Sequence, residues 1–325
     1  MALPLTVSVV PDPLEAQVIG VDVGGTGLKL ARFRANGECL AEHFLPTPQP
    51  AAPGAVATAI VDAIEQLDPQ RLAPWVGVGM PGPTDLAGRI ARIAINLPGW
   101  DNVPLADWLE SRLGRRVTLG NDGNCAVLGE QWQGAAQGLQ DVVLLTLGTG
   151  VGGGVILGGK LFTGRQGAAA EPGLIGLNPD GPPCNSGNNG SLESFCSIGA
   201  VTRASGLDPA ELSARAAAAD PEALAAWAAY GRLLGCGISS LVYAFTPERV
   251  LLGGGLSAAF PYFSAALLAE VERRVLFPSR EGLVISRAAL GNGAGRVGAA
   301  RLALDRFGPG GHSATGGHSA TGGQG

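Results

Sequence analysis

Two glycine-rich segments of this chain carry the residue types that cradle phosphate. The first runs Asp22-Val-Gly-Gly-Thr-Gly-Leu-Lys29 between two apolar stretches. Paired Gly24 and Gly25 let backbone N–H groups approach an anion with no Cβ in the way. Thr26 adds a hydroxyl donor, Lys29 a cation, and Asp22 a carboxylate able to organise a magnesium–phosphate complex. The second segment, Leu147-Gly-Thr-Gly-Val-Gly-Gly-Gly154, repeats the pattern with Gly148, Thr149 and Gly150 at its turn. Its G-x-G-x-x-G match is no dinucleotide fingerprint, because β-structure rather than a crossover helix is expected to follow it. Two such loops, over a hundred residues apart, make sense as paired phosphate clamps, one per lobe. A third cluster follows the apolar Val250-Leu-Leu252, and there Gly254 and Gly255 could pack beneath an adenine. Taken singly, each of these loops also reads as an ordinary turn.

The elements that must position these loops follow from periodicity. Val18 to Phe33 reads as a β-hairpin, with a further strand at Leu40 to Leu45. Helical spacing of Val56, Ile60, Ile64 and Leu67 predicts a helix over 55–67, and a short buried strand follows from Trp75. Leu105 to Leu113 is a second expected helix. Val117 to Leu119 is then a strand delivering Asn121 and Asp122 to the start of a helix that runs from Gly123 to about Gln137. Asn and Asp are favoured helix caps, so a capping pair is one reading of these two residues. Asp141 to Leu161 reads as a second glycine-turned strand pair. The alanine-rich 207–237 is a helical stretch, Arg249 to Gly255 a buried strand, and 265–274 and 293–307 are helices. No regular structure is expected before Gln17. From Gly308 a six-residue repeat of small polar residues gives a disordered tail.

Composition narrows the class. At 325 residues with 46% hydrophobic and 15% charged content, the chain is a folded protein of two lobes or one large α/β unit. Its 22 basic and 27 acidic residues include only two lysines, Lys29 and Lys160, and no basic stripe, so nucleic acid is not an expected partner. Cys39, Cys125, Cys184, Cys196 and Cys236 are an odd, scattered set, which is no disulfide framework. No signal peptide is visible, and the uncharged stretches 142–159 and 250–269 are broken by glycine and proline, so no membrane partner is expected. A cytoplasmic location follows.

The motifs DVGGTGLK, GVGMPGP, NLPGW, GNDGN, LGTGVGGG and AEPGLIGLNPDGPPCNSGNNGSLE together resemble the ROK family of glucokinases and related hexose kinases. The resemblance runs from Val18 to Phe307. It implies an α/β, two-lobed actin-like (ribonuclease-H-like) sugar kinase fold with an interlobe cleft. It implies Asp122 as catalytic base, with Asn96, Asn121, Glu171 and Glu193 holding sugar hydroxyls alongside it. Residues 1–122, joined by the helix 294–307, would form the small lobe, and 123–293 the large one. ATP and Mg2+ are the expected cofactors, a hexose the substrate, and a homodimer the assembly. The chemistry agrees: amides and carboxylates suit vicinal hydroxyls, and a helix N-terminus favours an ionised Asp122.

The chain departs from the family at its zinc motif. The pattern Glu-x-Gly-His, then Cys-x-Cys-Gly-x-x-x-Cys, here has Leu174 at the histidine position and Cys184, Ser186 and Ser191 at the cysteines. Three of four ligands are gone, so no structural zinc is expected. Leu174 offers a sugar only apolar contact, and Pro179, Pro182 and Pro183 would keep the loop in shape. Cys184 is read as an inert leftover. A repressor of the same family would need a DNA-binding domain ahead of the first hairpin, where 21 residues with three prolines stand. A non-catalytic sugar sensor would be expected to lack Asp122 or one glycine loop. The expected activity is therefore ATP-dependent phosphorylation of the glucose 6-hydroxyl. Fructose, mannose or N-acetylated hexoses remain as acceptors, and polyphosphate as donor, although Lys29, Lys160 and Arg165 are a thin cationic set for it.

Overall fold

The computed structural model describes residues 15–94, 97–184 and 186–309. Strand β1 (Gln17–Val23) turns back as β2 (Gly27–Arg34) and again as β3 (Cys39–Pro46), and helix α1 (Pro53–Leu67) then crosses to β4 (Trp75–Met80). A small ribbon of β5 (Ala91–Ile93) and β6 (Asp101–Val103) precedes helix α2 (Leu105–Leu113) and strand β7 (Arg116–Asn121). The sheet order is β3-β2-β1-β4-β7, with β1, β4 and β7 parallel. Helix α3 (Asp122–Gln133) leads into a second sheet built on the same plan. There β8 (Val142–Leu147), β9 (Val151–Leu157) and β10 (Lys160–Leu161) form the meander. Helices α4 (Leu192–Cys196), α5 (Ile198–Ser205), α6 (Pro209–Ala217) and α7 (Pro221–Phe245) follow. The sheet is completed by β11 (Arg249–Gly253), α8 (Phe260–Arg274), α9 (Phe277–Arg280) and β12 (Val284–Arg287). Its order, β10-β9-β8-β11-β12, matches the first strand for strand. Helix α10 (Ala294–Phe307) ends the described fold.

Each sheet is covered on both faces, which is why the central strands read as nearly continuous apolar runs. On the first sheet, Val56, Ile60 and Ile64 of α1 and Leu105 and Leu109 of α2 pack against Ile19, Val21 and Leu30. The opposite face, with Val18, Ala31 and Phe33, is covered by Val297, Ala300, Ala303 and Leu304 of α10. On the second sheet, Trp227, Leu234 and Phe263 of α7 and α8 cover one face. Val127 and Leu128 of α3 cover the other. Helices α3 and α10 therefore lie together between the two sheets. Their approach needs a residue without a side chain, because a Cβ at Gly298 would overlap the Cys125 carbonyl oxygen. Among the described residues, no helix is long and apolar enough to cross a membrane.

The structure corrects several boundaries. Helix α3 stops at Gln133 rather than about Gln137, because Gly134 caps it. The alanine-rich stretch is two helices, α6 and α7, parted where Ala219 takes φ +60° and the Asp220 side chain accepts the Glu222 N–H. The second of these runs on to Phe245. Strand β11 ends at Gly253 instead of Gly255, because Gly254 turns the chain at φ +78°. Strands β5, β6 and β12 and helices α4, α5 and α9 carry no periodicity long enough to announce them. The lead-in before residue 15 and the repeat from residue 310 lie outside the described residues.

Candidate functional site

Strand β7 and helix α3 meet at Asn121 and Asp122, between the two sheets. Asn121 is the helix cap: its Oδ1 accepts the Asn124 N–H at 3.0 Å. Its amide nitrogen donates to the Gly82 carbonyl at 3.3 Å and to Asp122 Oδ1 at 3.1 Å. The Gly123 N–H also donates to Asp122 Oδ1, at 2.8 Å. Both donors thus converge on one oxygen, and Oδ2 is left without a partner among the described residues. Solvent reaches the Asp122 side chain, yet protein surrounds it in a concave setting. That setting pushes its pKa up to about 6; the Gly123 N–H opposes the rise, and the nearby charge of Asp22 adds to it. Here burial outweighs the helix field that the sequence reading credits with favouring the ionised form. Beneath the two carboxylates lies the buried thiol of Cys125, driven well above its usual range by burial and by Asp22 and Asp122.

Two further carboxylates approach from the second sheet. Glu171, ahead of the turn Pro172–Leu174, has its pKa raised to about 7, first by burial and then by the charges of Asp122 and Glu193. Glu193 sits in the first turn of α4, where its Oε2 accepts the Val151 N–H at 2.9 Å. Its Oε1 accepts a hydrogen bond from the Cys184 thiol at 3.5 Å. Leu174 is about one-third exposed, at 36%. The loop before α4 is held by main-chain bonds: Gly181 N–H to Asn178 O at 2.9 Å, Gly190 N–H to Pro182 O at 2.8 Å and Cys184 N–H to Asn188 O at 2.7 Å. Among the described residues, no cluster of three or more His, Cys, Asp or Glu is arranged to hold a metal ion.

The glycine loops sit at strand ends. At the first hairpin, Gly25 and Thr26 are exposed, and Thr47 donates to the Gly24 carbonyl at 2.6 Å and Gln49 to that of Gly25 at 3.1 Å. Lys29 pairs with Asp22 at 3.1 Å across the same hairpin. At the second, Gly148 N–H donates to Gly150 O at 2.9 Å, and the Ile198 N–H ties Gly148 O to α5 at 2.8 Å. Thr149 is exposed at that tip. Gly254 and Gly255, also exposed, follow β11, the parallel neighbour of β8, so they lie beside the Gly148–Gly150 turn. A Cβ at Gly254 would run into the Leu147 backbone.

Asp22, Asp122, Glu171 and Glu193 are thus close enough to act on one another electrostatically, although they come from positions far apart in the chain. Asn96 lies outside the described residues. The sequence reading missed Thr47 and Gln49, which brace the first hairpin from a proline-rich connection that carries no signal of such a role. It also missed the contact of Cys184 with Glu193, which only the folded loop reveals.

The sequence model of the ROK family matches residues 18–306. A glucokinase of Thermotoga maritima is 34% identical over 313 residues, spanning 90% of this chain and 98% of that protein. A solved ROK family glucokinase from Streptomyces griseus, in complex with glucose and AMPPNP, superposes with a TM-score of 0.77 at 32% identity, covering 89% of this chain and 99% of that one. A ROK hexokinase from Thermus thermophilus gives a TM-score of 0.79 at 36% identity, covering 89% and 98% respectively.

Proposed function

The chain belongs to the ROK family, and from that membership we propose that it transfers the γ-phosphoryl group of ATP to the 6-hydroxyl of glucose. One observation carries the reading beyond family membership. Asp122, Glu171 and Glu193, contributed by three separate elements, gather where the two sheets face each other, and the glycine hairpin of Asp22 stands next to them.

In this reading Asp122 is the base. Asn121 and Gly123 fix its Oδ1, so Oδ2 is the oxygen that takes the hydroxyl proton as the sugar oxygen attacks phosphorus. A pKa near 6 suits the task, because the carboxylate is mostly ionised at neutral pH while still a better base than an ordinary aspartate. Glu171, near 7, can accept from one hydroxyl and donate to another. Glu193, Asn121 and Asn96 complete the sugar set. Residues 24–26, with Lys29, and 148–150 would receive the phosphates, and Gly254 and Gly255 the adenine. The oxygens of Asp22, half-buried at a strand end, fit a hard divalent cation, and magnesium arriving with the nucleotide would neutralise phosphate charge.

The same reading takes residues 1–122 with 294–307 as one lobe and 123–293 as the other, in a cytoplasmic homodimer without zinc. A coupled assay across glucose, mannose, fructose and N-acetylated hexoses, with ATP and with polyphosphate, tests it. Glucose with ATP is expected to give the highest kcat/KM. No phosphorylation of any hexose at millimolar concentration would refute the proposal.

A further inference from the structure

The loop that replaces the family's metal motif holds one end of a hydrogen-bond chain that leads into the site. We propose that Cys184 is a positioning residue which, together with Ser186 and Ser191, fixes the Glu193 carboxylate for the sugar in place of a metal. The inference rests on the assignment of Glu193 as a sugar ligand.

Glu193 stands on α4, a five-residue helix too short to be stable by itself. Its carboxylate must therefore be held from outside, and each oxygen is. Oε2 takes the Val151 N–H at 2.9 Å, and Oε1 takes the Cys184 thiol at 3.5 Å. The Ser186 hydroxyl donates to the same sulfur at 3.4 Å, which occupies its acceptor side and leaves S–H to point at Glu193. Ser191 is buried and caps α4, its Oγ accepting the Ser194 N–H at 3.2 Å. The three former ligand positions thus supply a donor to the carboxylate, a donor to that donor, and a helix cap. The Cys184 backbone is pinned as well, since its N–H meets Asn188 O at 2.7 Å and its carbonyl accepts the Gly187 N–H at 3.0 Å.

A merely structural part for this side chain is a poor fit. Cys184 is half-buried and belongs to none of the hydrophobic clusters, so removing its sulfur opens no core cavity. The consequence should fall on ground-state sugar binding. Cys184→Ala is expected to raise the hexose KM roughly three- to tenfold, the scale of one hydrogen bond to a charged group, with kcat changed less than about twofold. Cys184→Ser keeps a donor and should return KM most of the way to that of the unaltered enzyme. An unchanged KM in Cys184→Ala, or equal KM values for the alanine and serine variants, would overturn the proposal.

A second arm needs no sugar. Dithiobis-nitrobenzoate is attacked by a thiolate, forming a protein mixed disulfide and releasing thionitrobenzoate. The Cys184 S–H is tied to Glu193 Oε1, so Glu193→Ala, which removes that acceptor, should free the thiol and speed its labelling severalfold while the exposed Cys39 stays constant. Equal rates would show that thiol and carboxylate are not coupled, and the inference would fall. If the unaltered protein phosphorylates no hexose, the kinase reading fails by itself and the labelling result alone decides whether Cys184 holds Glu193.

Discussion

Asp122 and Glu171 are both weaker acids than usual, chiefly through burial, with the charge of Asp22 adding to the first and those of Asp122 and Glu193 to the second. Asp122→Asn keeps the Asn121 and Gly123 contacts within reach but removes the proton acceptor. Turnover measured in a coupled assay is expected to fall roughly 100-fold or more, with hexose binding retained in part. Near-normal turnover would leave Asp122 as a helix-start residue and nothing else. The acid limb of kcat/KM should break near pH 6, where Asp122 takes up its proton, and fall about tenfold per unit below it. The same groups affect folding with a definite sign. Their folded-state pKa values of about 6 and about 7 lie above the unfolded ones near 4, so the native state binds more protons between them. Stability therefore falls as pH rises through that window. Glu171→Gln should raise the melting temperature at pH 8, and the gain should vanish by pH 4. A gain of equal size at both would assign it to something other than charge.

Two glycine contacts give contrasting expectations for the elements that carry them. At the exposed tip of the first hairpin, the nearest atom to a Cβ on Gly25 is a Leu97 methyl at 4.0 Å. Gly25→Val should therefore fold normally and raise the KM for ATP, which steady-state kinetics would show; an unchanged value would make the hairpin a plain turn. Gly298→Ala meets the Cys125 carbonyl where α10 crosses α3, and should lower stability in urea denaturation by roughly 1–3 kcal/mol, the cost of overpacking. No measurable loss would mean the crossing adjusts freely. The hairpins, α1, α2 and α10 were legible in the sequence because each has a face of fixed period or a glycine turn between apolar runs. Asp22 and Asp122 could be assigned to strand ends for the same reason. The α6–α7 break was harder to see, since alanine masks a boundary that Asp220 and Pro221 set. The pKa of Asp122 was out of reach, because it depends on Asp22 and on burial by residues distant in sequence. The part played by Cys184 depends in the same way on where the 178–193 loop places it.

For the molecule as a whole, purified protein is expected to carry no stoichiometric zinc and to keep its activity after chelation once magnesium is restored. One zinc per chain by elemental analysis would contradict this. The loop's main-chain bonds and the Ser191 cap would then be secondary to a metal held by other ligands. The cover that α10 gives to the first sheet also matters for the order in which the protein is made. Val18, Ala31 and Phe33 leave the ribosome roughly 260 residues ahead of Val297, Ala300, Ala303 and Leu304, which shield them. At about 5–20 residues per second, the interval is roughly 15 to 50 s. For that interval the first sheet keeps one apolar face without its cover, and a nascent chain that stalls short of Ala294 leaves that face open to aggregation or to chaperones.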